Sequence, residues 1–390
     1  MKQEIKERIE QIKQGLLPSG YKQTPVGILP SDWKLSTLSS ISKFIGGGTP
    51  STKKREYWNG EIPWISSSDV VEDNIYKISI SRKINQNAIN NSATKLIPSN
   101  SVLVVTRVGV GKVVVNKFPL CTSQDYTNIV EFSHDSIFLA YYLKNLINKK
   151  LQGLQGTSIK GITTKELSSF LVLDFKIKEQ QKIANVLTTW DNAVELQEKK
   201  IERLQEKKKA LMQKLLTPKP DWKEARLGEI CEISTGKLDA NKMVEDGVYP
   251  FFTCSKDVYR IDNFAYDCEA LLMAGNGEIG DIKYYNGKFN AYQRTYVLTD
   301  FKLDTKYVMQ YLLLNFDKTV CKGMQKSSMP YIKLGLLQDA IILYPKNSEQ
   351  LSKTLNLFDD KIQIENQLLE KYKEQRKALM QLLLTGIVRV

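Results

Sequence analysis

The chain has 390 residues, 42% hydrophobic and 25% charged, with a net charge of +13 and a pI near 9.2. It is therefore too long for one domain of ~100–200 residues, too apolar for a disordered chain, and basic enough to favour a polyanionic partner. No apolar run approaches the ~20 residues of a membrane helix, residues 1–15 are charged unlike a secretory signal, and five cysteines without CxxC spacing suggest neither a zinc knuckle nor a disulfide framework. A cytoplasmic protein with reduced thiols is expected.

In chain order, Ile5, Ile9, Ile12 and Leu16 predict a short helix in a lead-in over 1–25, docking near the end of a later helix. A first globular segment follows over 26–178. Its β-branched runs 102–105 and 113–115 read as strands around a glycine turn, Arg107-Val108-Gly109-Val110-Gly111, and 138–149 reads as a helix. This segment carries nineteen basic against eleven acidic residues, whereas a second globular segment over 220–348 carries sixteen against seventeen. If both bind DNA, the first should supply more of the salt-dependent affinity. Within the second segment, 270–273 and 296–298 read as strands and 306–316 as a helix.

Between and after these segments lie two predicted helices, over 179–219 and 349–390. In the first, Ile183, Leu187, Trp190, Val194, Gln197, Ile201, Leu204, Lys208, Leu211 and Leu215 step by fours and threes, the seam of a coiled coil. The second keeps the register as Leu351, Leu355, Phe358, Ile362, Glu365, Leu369, Tyr372, Arg376, Leu379 and Leu383, at a constant offset of 168. Lys209-Ala210-Leu211-Met212-Gln213 even recurs as Lys377-Ala378-Leu379-Met380-Gln381. A parallel pair would bury Lys208 against Arg376, two like charges. An antiparallel pair with a pseudo-twofold repeat is expected instead, with Lys208 opposite Glu365 and Gln197 opposite Arg376. At ~1.5 Å per residue the seam spans about 50 Å, more than one DNA turn of ~34–36 Å.

The globular segments repeat one another as well. Asp32-Trp33-Lys34 with Leu38, Ile41 and Gly47 matches Asp221-Trp222-Lys223 with Leu227, Ile230 and Gly236, at an offset of 189, and Gln124 then corresponds to Gln293 and Ile162 to Ile332. Gly47-Gly48-Thr49-Pro50-Ser51, then Tyr57-Trp58, Gly60 and Ile62-Pro63-Trp64-Ile65-Ser66 with Asp69, together with Glu179-Gln180, Glu349-Gln350 and Leu383-Leu384-Thr385-Gly386, complete the pattern. In these motifs and in the order of its elements, the whole chain resembles the specificity subunits of type I restriction-modification systems. The second segment departs locally, with Gly236-Lys237-Leu238 in place of Gly-Thr-Pro. The resemblance implies an α+β fold of two α/β target-recognition domains separated by two long antiparallel coiled-coil helices. It further implies that the chain reads an asymmetric bipartite DNA sequence, and that its helices seat two modification (methyltransferase) subunits, which in turn support restriction and translocase subunits.

Bases are read through hydrogen bonds to their edges, and phosphate contacts position the reader, so polar and basic loops are the places to look. In the first segment these are Thr49, Lys53, Lys54, Arg55, Tyr57, Ser66, Ser67 and Ser68, Arg107 and Lys112 in the glycine turn, Gln124, and Thr157, Ser158 and Lys160. Arg107 stands out because a bidentate guanidinium fits a guanine edge or a phosphate. By the repeat, the second segment offers Thr253, Ser255, Lys256, Asn276, Gln293, Arg294, Lys326, Ser327 and Ser328. Trp33, Trp64, Trp190 and Trp222 read as core or seam. Gly275-Asn276-Gly277-Glu278-Ile279-Gly280 fits a dinucleotide fingerprint, but the strand-like residues after it leave no helix N-terminus for a phosphate.

Enzyme signatures are lacking: His134 is the one histidine, no phosphate-binding P-loop occurs, and Ser328-Met329-Pro330-Tyr331 only partly matches a methyltransferase motif. No metal or cofactor is expected, and catalysis is left to partners. Two further readings compete with the type I subunit, the recognition subunit of a related type II restriction system and a coiled-coil scaffold that holds proteins; steeply salt-sensitive binding to random duplex separates the DNA readers from the scaffold.

Overall fold

The computed structural model describes residues 3–152, 161–321 and 331–390. It divides into two compact units, one of residues 1–196 with 370–390 and the other of residues 197–369.

In the first unit the helix Gln3–Lys13 stops before Leu16, which is exposed. Arg8 of this helix donates to the Ile387 carbonyl at 2.5 Å, just past the end of the helix Ser348–Leu384, and Tyr21 donates to the Gly386 carbonyl at 2.7 Å. The globular part holds two four-stranded sheets. One runs Arg82–Ile84, Ile62–Ile65, Leu120–Thr122, Leu96–Ile97, and the other Lys43–Gly46, Tyr126–Val130, Val102–Val105, Val113–Val115. The helix Ser136–Gln152 starts on Asp135, whose carboxylate accepts the Ile137 and Phe138 amides. A cap of this kind satisfies N–H groups that the first helical turn leaves unpaired. The helix buries Phe138, Leu139, Tyr141, Leu143 and Ile147 against the second sheet, in a core that also takes in Trp33, Ile183, Leu187 and Leu383. Trp33 is wholly buried and stacks on Phe175 at 4.0 Å.

The second unit repeats this plan with a single six-stranded sheet, ordered Glu232–Thr235, Thr295–Thr299, Tyr266–Ala274, Ile282–Ala291, Tyr249–Phe252, Val258–Ile261. Its continuous strand Ile282–Ala291 corresponds to two separate strands of the first unit, Val113–Val115 and Leu120–Thr122. The break has a local cause. Pro119 cannot donate to a ladder, and Asn116 turns its side-chain amide onto the Pro98 and Phe118 carbonyls at 2.7 and 2.9 Å. Asp304 caps the helix Thr305–Thr319, as Asp135 does its counterpart.

The helices Ile177–Leu215 and Ser348–Leu384 carry the four-three pattern, and no seam position from Ile183 to Leu215 or from Leu351 to Leu383 is exposed. In the first unit Trp190 meets Tyr372 edge to face at 6.0 Å and Arg376 pairs with Asp191 at 2.6 Å, while Leu383 and Leu384 join the core of Ile183 and Leu187. In the second unit Gln197 donates to Glu365 at 2.7 Å, Lys208 pairs with Asp359 at 2.6 Å, and Leu355 packs in the core with Met212 and Leu216. In each unit rising numbers on one helix meet falling numbers on the other, so the segments run antiparallel. The partners differ from the expected ones: Lys208 does not face Glu365, nor Gln197 Arg376. Both long cations instead reach an aspartate beside the seam, Asp359 or Asp191, residues that are themselves equivalent across the offset of 168. An account restricted to seam positions omits these flanking carboxylates. Satisfying Lys208 and Arg376 there frees Gln197 and Glu365 to meet each other, with Lys200 on Glu365 at 2.7 Å.

Candidate nucleic-acid interface

In the first unit the motif Gly47-Gly48-Thr49-Pro50 is built around a close backbone approach. A Cβ on Gly47 would collide with the Ser123 carbonyl oxygen, and one on Gly48 would lie 2.5 Å from the Thr94 amide. The absent side chains let Gly48 donate to the Thr122 carbonyl at 2.8 Å and accept from the Trp64 indole at 2.9 Å. The approach leaves Thr49 exposed, its hydroxyl donating to the exposed Gln124 amide oxygen. Lys53, Lys54 and Arg55 follow on the same exposed loop, with Lys54 donating to the Tyr57 hydroxyl at 3.0 Å. The glycine turn is a hairpin between Val102–Val105 and Val113–Val115, with Gly109 and Gly111 at φ of 78° and 106°, and it holds Arg107 out to solvent.

Some expected readers are engaged inside the domain instead. Lys112 donates its ammonium to the Ser67 and Val70 carbonyls at 2.9 and 3.0 Å, clamping the turn to its neighbour. Tyr57 is buried. Ser66 caps the short turn Ser67–Asp69: Asp69 accepts the Ser66 amide at 2.7 Å and its hydroxyl at 2.9 Å, and Ser68 lies against the same hydroxyl. Arg82, which no sequence pattern singled out, joins this cluster at 2.6 Å from Asp69 and lies over the Trp64 ring. Burial acts to raise the Asp69 pKa, but the Ser66 groups and Arg82 outweigh it and hold the carboxyl below its ordinary value. Asp69→Ala is expected to destabilise the domain by ~1 kcal/mol at neutral pH, as losing a cap does. A depressed pKa stabilises only above the unfolded value, so the gap between variant and wild type should close as pH falls through the folded-state pKa. Thermal melts across the acid range check this, and a pH-independent gap would remove the electrostatic account.

In the second unit the same backbone frame recurs. Gly236 donates to the Thr295 carbonyl as Gly47 does to that of Tyr126, and a Cβ on Gly236 would strike the Ala291 carbonyl. Gly275 donates to the Arg294 carbonyl at 3.0 Å and accepts from the Ile332 amide at 2.8 Å, as Thr106 does with Asp125 and Ile162. The stretch that fits a dinucleotide fingerprint turns into the strand Ile282–Ala291. Thr253 is buried and accepts the Ser255 amide, Ser255 accepts that of Asp257, and Lys256 pairs with Glu278 at 3.6 Å. Asn276, Gln293 and Arg294 come together, lining a concavity of about 580 Å³. Thr157, Ser158, Lys160, Lys326, Ser327 and Ser328 lie outside the described residues. His134 is buried, with Nε2 3.0 Å from the Leu173 carbonyl. Among the described residues no group of three His, Cys, Asp or Glu side chains could hold a metal ion, and no helix is long and apolar enough to cross a membrane.

A family model described as the type I restriction modification DNA specificity domain matches residues 30–206 and again 219–374. The chain belongs to this family. It is 26% identical to the type I restriction enzyme MjaIX specificity subunit of Methanocaldococcus jannaschii, over 95% of this chain and 96% of that one. It is also 40% identical to the type I restriction enzyme EcoDI specificity subunit of Escherichia coli, over 42% of this chain and 37% of that one. The fold is similar to that of a solved type I restriction-modification S subunit from M. genitalium, at a TM-score of 0.60 and 18% identity, covering 90% of this chain and 96% of that one. Both specificity-domain matches contain the glycine close approach and the hairpin turn described above.

Proposed function

We propose that this chain is the DNA-recognition subunit of a type I restriction-modification enzyme, reading an asymmetric bipartite sequence with residues 26–178 on one half and 220–348 on the other. The observation that carries the reading is the twofold match to one specificity-domain family, on two domains that share a backbone frame but differ in the side chains mounted on it. A shared frame gives both domains one way of docking, and different side chains give different half-sites.

The proposed contacts are the exposed Thr49, Lys53, Lys54, Arg55, Arg107 and Gln124 in the first domain, and in the second the exposed Gln293 and Arg294 with the half-buried Asn276 beside them. The two long helices are the proposed seat for two modification subunits, and through them for the restriction subunits. This chain supplies no catalytic group and works in the cytoplasm beside the DNA. Binding is largely electrostatic in its non-specific part, so affinity for random duplex should fall steeply with salt.

The test is to combine the chain with its modification subunits, expose genomic DNA and map the methylated adenines. A motif of two short specified halves separated by unspecified bases is expected. Methylation without such a split motif, or binding to duplex indifferent to salt, would overturn the reading.

A further inference from the structure

The second domain has the lower net charge, yet its concavity collects two cations, Arg294 and Lys333, beside Tyr331, Tyr296, Asn276 and Gln293. Among the described residues neither cation forms an ion pair, and no carboxylate lines the concavity. Its floor is Gly275, where a Cβ would press on the Arg294 carbonyl at 2.5 Å and on the Tyr296 ring at 3.2 Å. The Tyr296 hydroxyl donates to the Ile332 carbonyl at 2.9 Å, fixing that wall, whereas Tyr331 is 53% exposed at the rim. Asp239 accepts from the Gln293 side-chain nitrogen at 2.7 Å, which fixes the amide at the edge of the concavity.

The first domain does not repeat this lining. The shared backbone hydrogen bonds make Asp125 the counterpart of Arg294 and Ile162 that of Ile332, so Gly161 stands where Tyr331 does and Thr163 where Lys333 does. Asp125 accepts from the Ser123 hydroxyl at 3.0 Å, and its charge would repel a phosphate.

We propose that the concavity of the second domain is a nucleotide subsite for the duplex, in which Arg294 and Lys333 hold a backbone phosphate, Asn276 and Gln293 read the adjoining base edge, and Tyr331 packs on the sugar. The chemistry of the lining selects this ligand. Unpaired cations suit phosphate oxygens, paired amides match the donor and acceptor edge of adenine, and an exposed ring offers a face to the sugar. The subsite rests on the reading of the chain as a DNA-recognition subunit, and it gives the two domains different balances of phosphate and base contacts.

Two paired variants in the assembled methyltransferase test it, with folding checked by thermal melts. For Arg294→Gln with Lys333→Gln, the slope of log affinity against log salt on random duplex should fall by roughly 1, as for the loss of one phosphate contact, with the methylation motif kept. The charge-conserving Arg294→Lys should retain the wild-type slope. For Asn276→Ala with Gln293→Ala, the slope should hold, while one half of the motif loses roughly tenfold discrimination at one or two positions and the other half stays intact. If wild type yields a split motif but either pair leaves its own readout unchanged, the subsite is overturned and the wider function stands. A wild type without a split motif overturns the function itself.

Discussion

Gly47→Ala is expected to destabilise the first domain by roughly 3 kcal/mol or more, the upper range for forcing an atom into a close-packed site. The demand here is for space, since no positive φ is involved: the added methyl would meet the Ser123 carbonyl oxygen and the Thr122 hydroxyl at once. Neither side can yield cheaply. Gly48 donates to the Thr122 carbonyl, Gly47 to that of Tyr126, and Trp64 to that of Gly48, so moving one strand breaks bonds on both. The exposed Thr49 and Gln124 sit on this junction. The motif half read by the first domain should therefore be lost while the other half survives, and Gly236→Ala should do the reverse through its collision with the Ala291 carbonyl. Chemical denaturation of both variants together with methylation mapping would decide the matter. A Gly47→Ala protein within ~0.5 kcal/mol of wild type would show that the strands move freely.

Arg376→Ala is expected to cost about 3 kcal/mol, because it removes one partner of a buried charge pair. Asp191 is 8% exposed. It accepts from the Tyr141 hydroxyl at 2.6 Å, and Arg376 lies 2.6 Å from its other oxygen as an ion pair whose angle is not that of a hydrogen bond. Burial raises the Asp191 pKa in spite of Tyr141, Arg376 and Lys144, while burial lowers that of Lys144, whose ammonium has no hydrogen-bond partner among the described residues. Without Arg376 the Asp191 pKa should climb further. The folded state then binds a proton more readily than the unfolded chain, so the deficit should narrow as pH falls from neutral toward that raised value. Stability curves at several pH values check the sign, and a deficit that widens in acid would reject it. Arg376→Lys should recover only part of the loss, since an ammonium lacks the planar fork.

Much of the fold could be read directly because its signals are periodic. The steps of four and three from Ile183 to Leu215 and from Leu351 to Leu383 mark the burial stripe of each long helix, and the strand runs around Val102–Val105 and Val113–Val115 announce a hairpin. The candidate site was legible only in part. Thr49, Gln124, Arg107, Gln293 and Arg294 follow from polarity and repeat matching, and all are exposed. Lys112 and Ser66 carry the same polar groups but spend them on backbone carbonyls and a cap, because a side chain's partners depend on what the fold brings near it. Lys333, Tyr331 and Arg82 were missed, although the match of Ile162 to Ile332 pointed to the vicinity of the first two.

The sequence by itself determined the duplication and the two long helices, which are written in spacing and recurrence along the chain. The placement of like charges on the seam set their antiparallel sense, and the resemblance carried by its motifs gave the α+β class and the family. Only the tertiary structure decided that Lys208 and Arg376 pair with Asp359 and Asp191, and that a cationic concavity lies in the less basic domain. The reason is physical. Periodicity reports which face of an element avoids water, whereas a charge finds its partner by distance in space, and residues far apart in the chain compete for it.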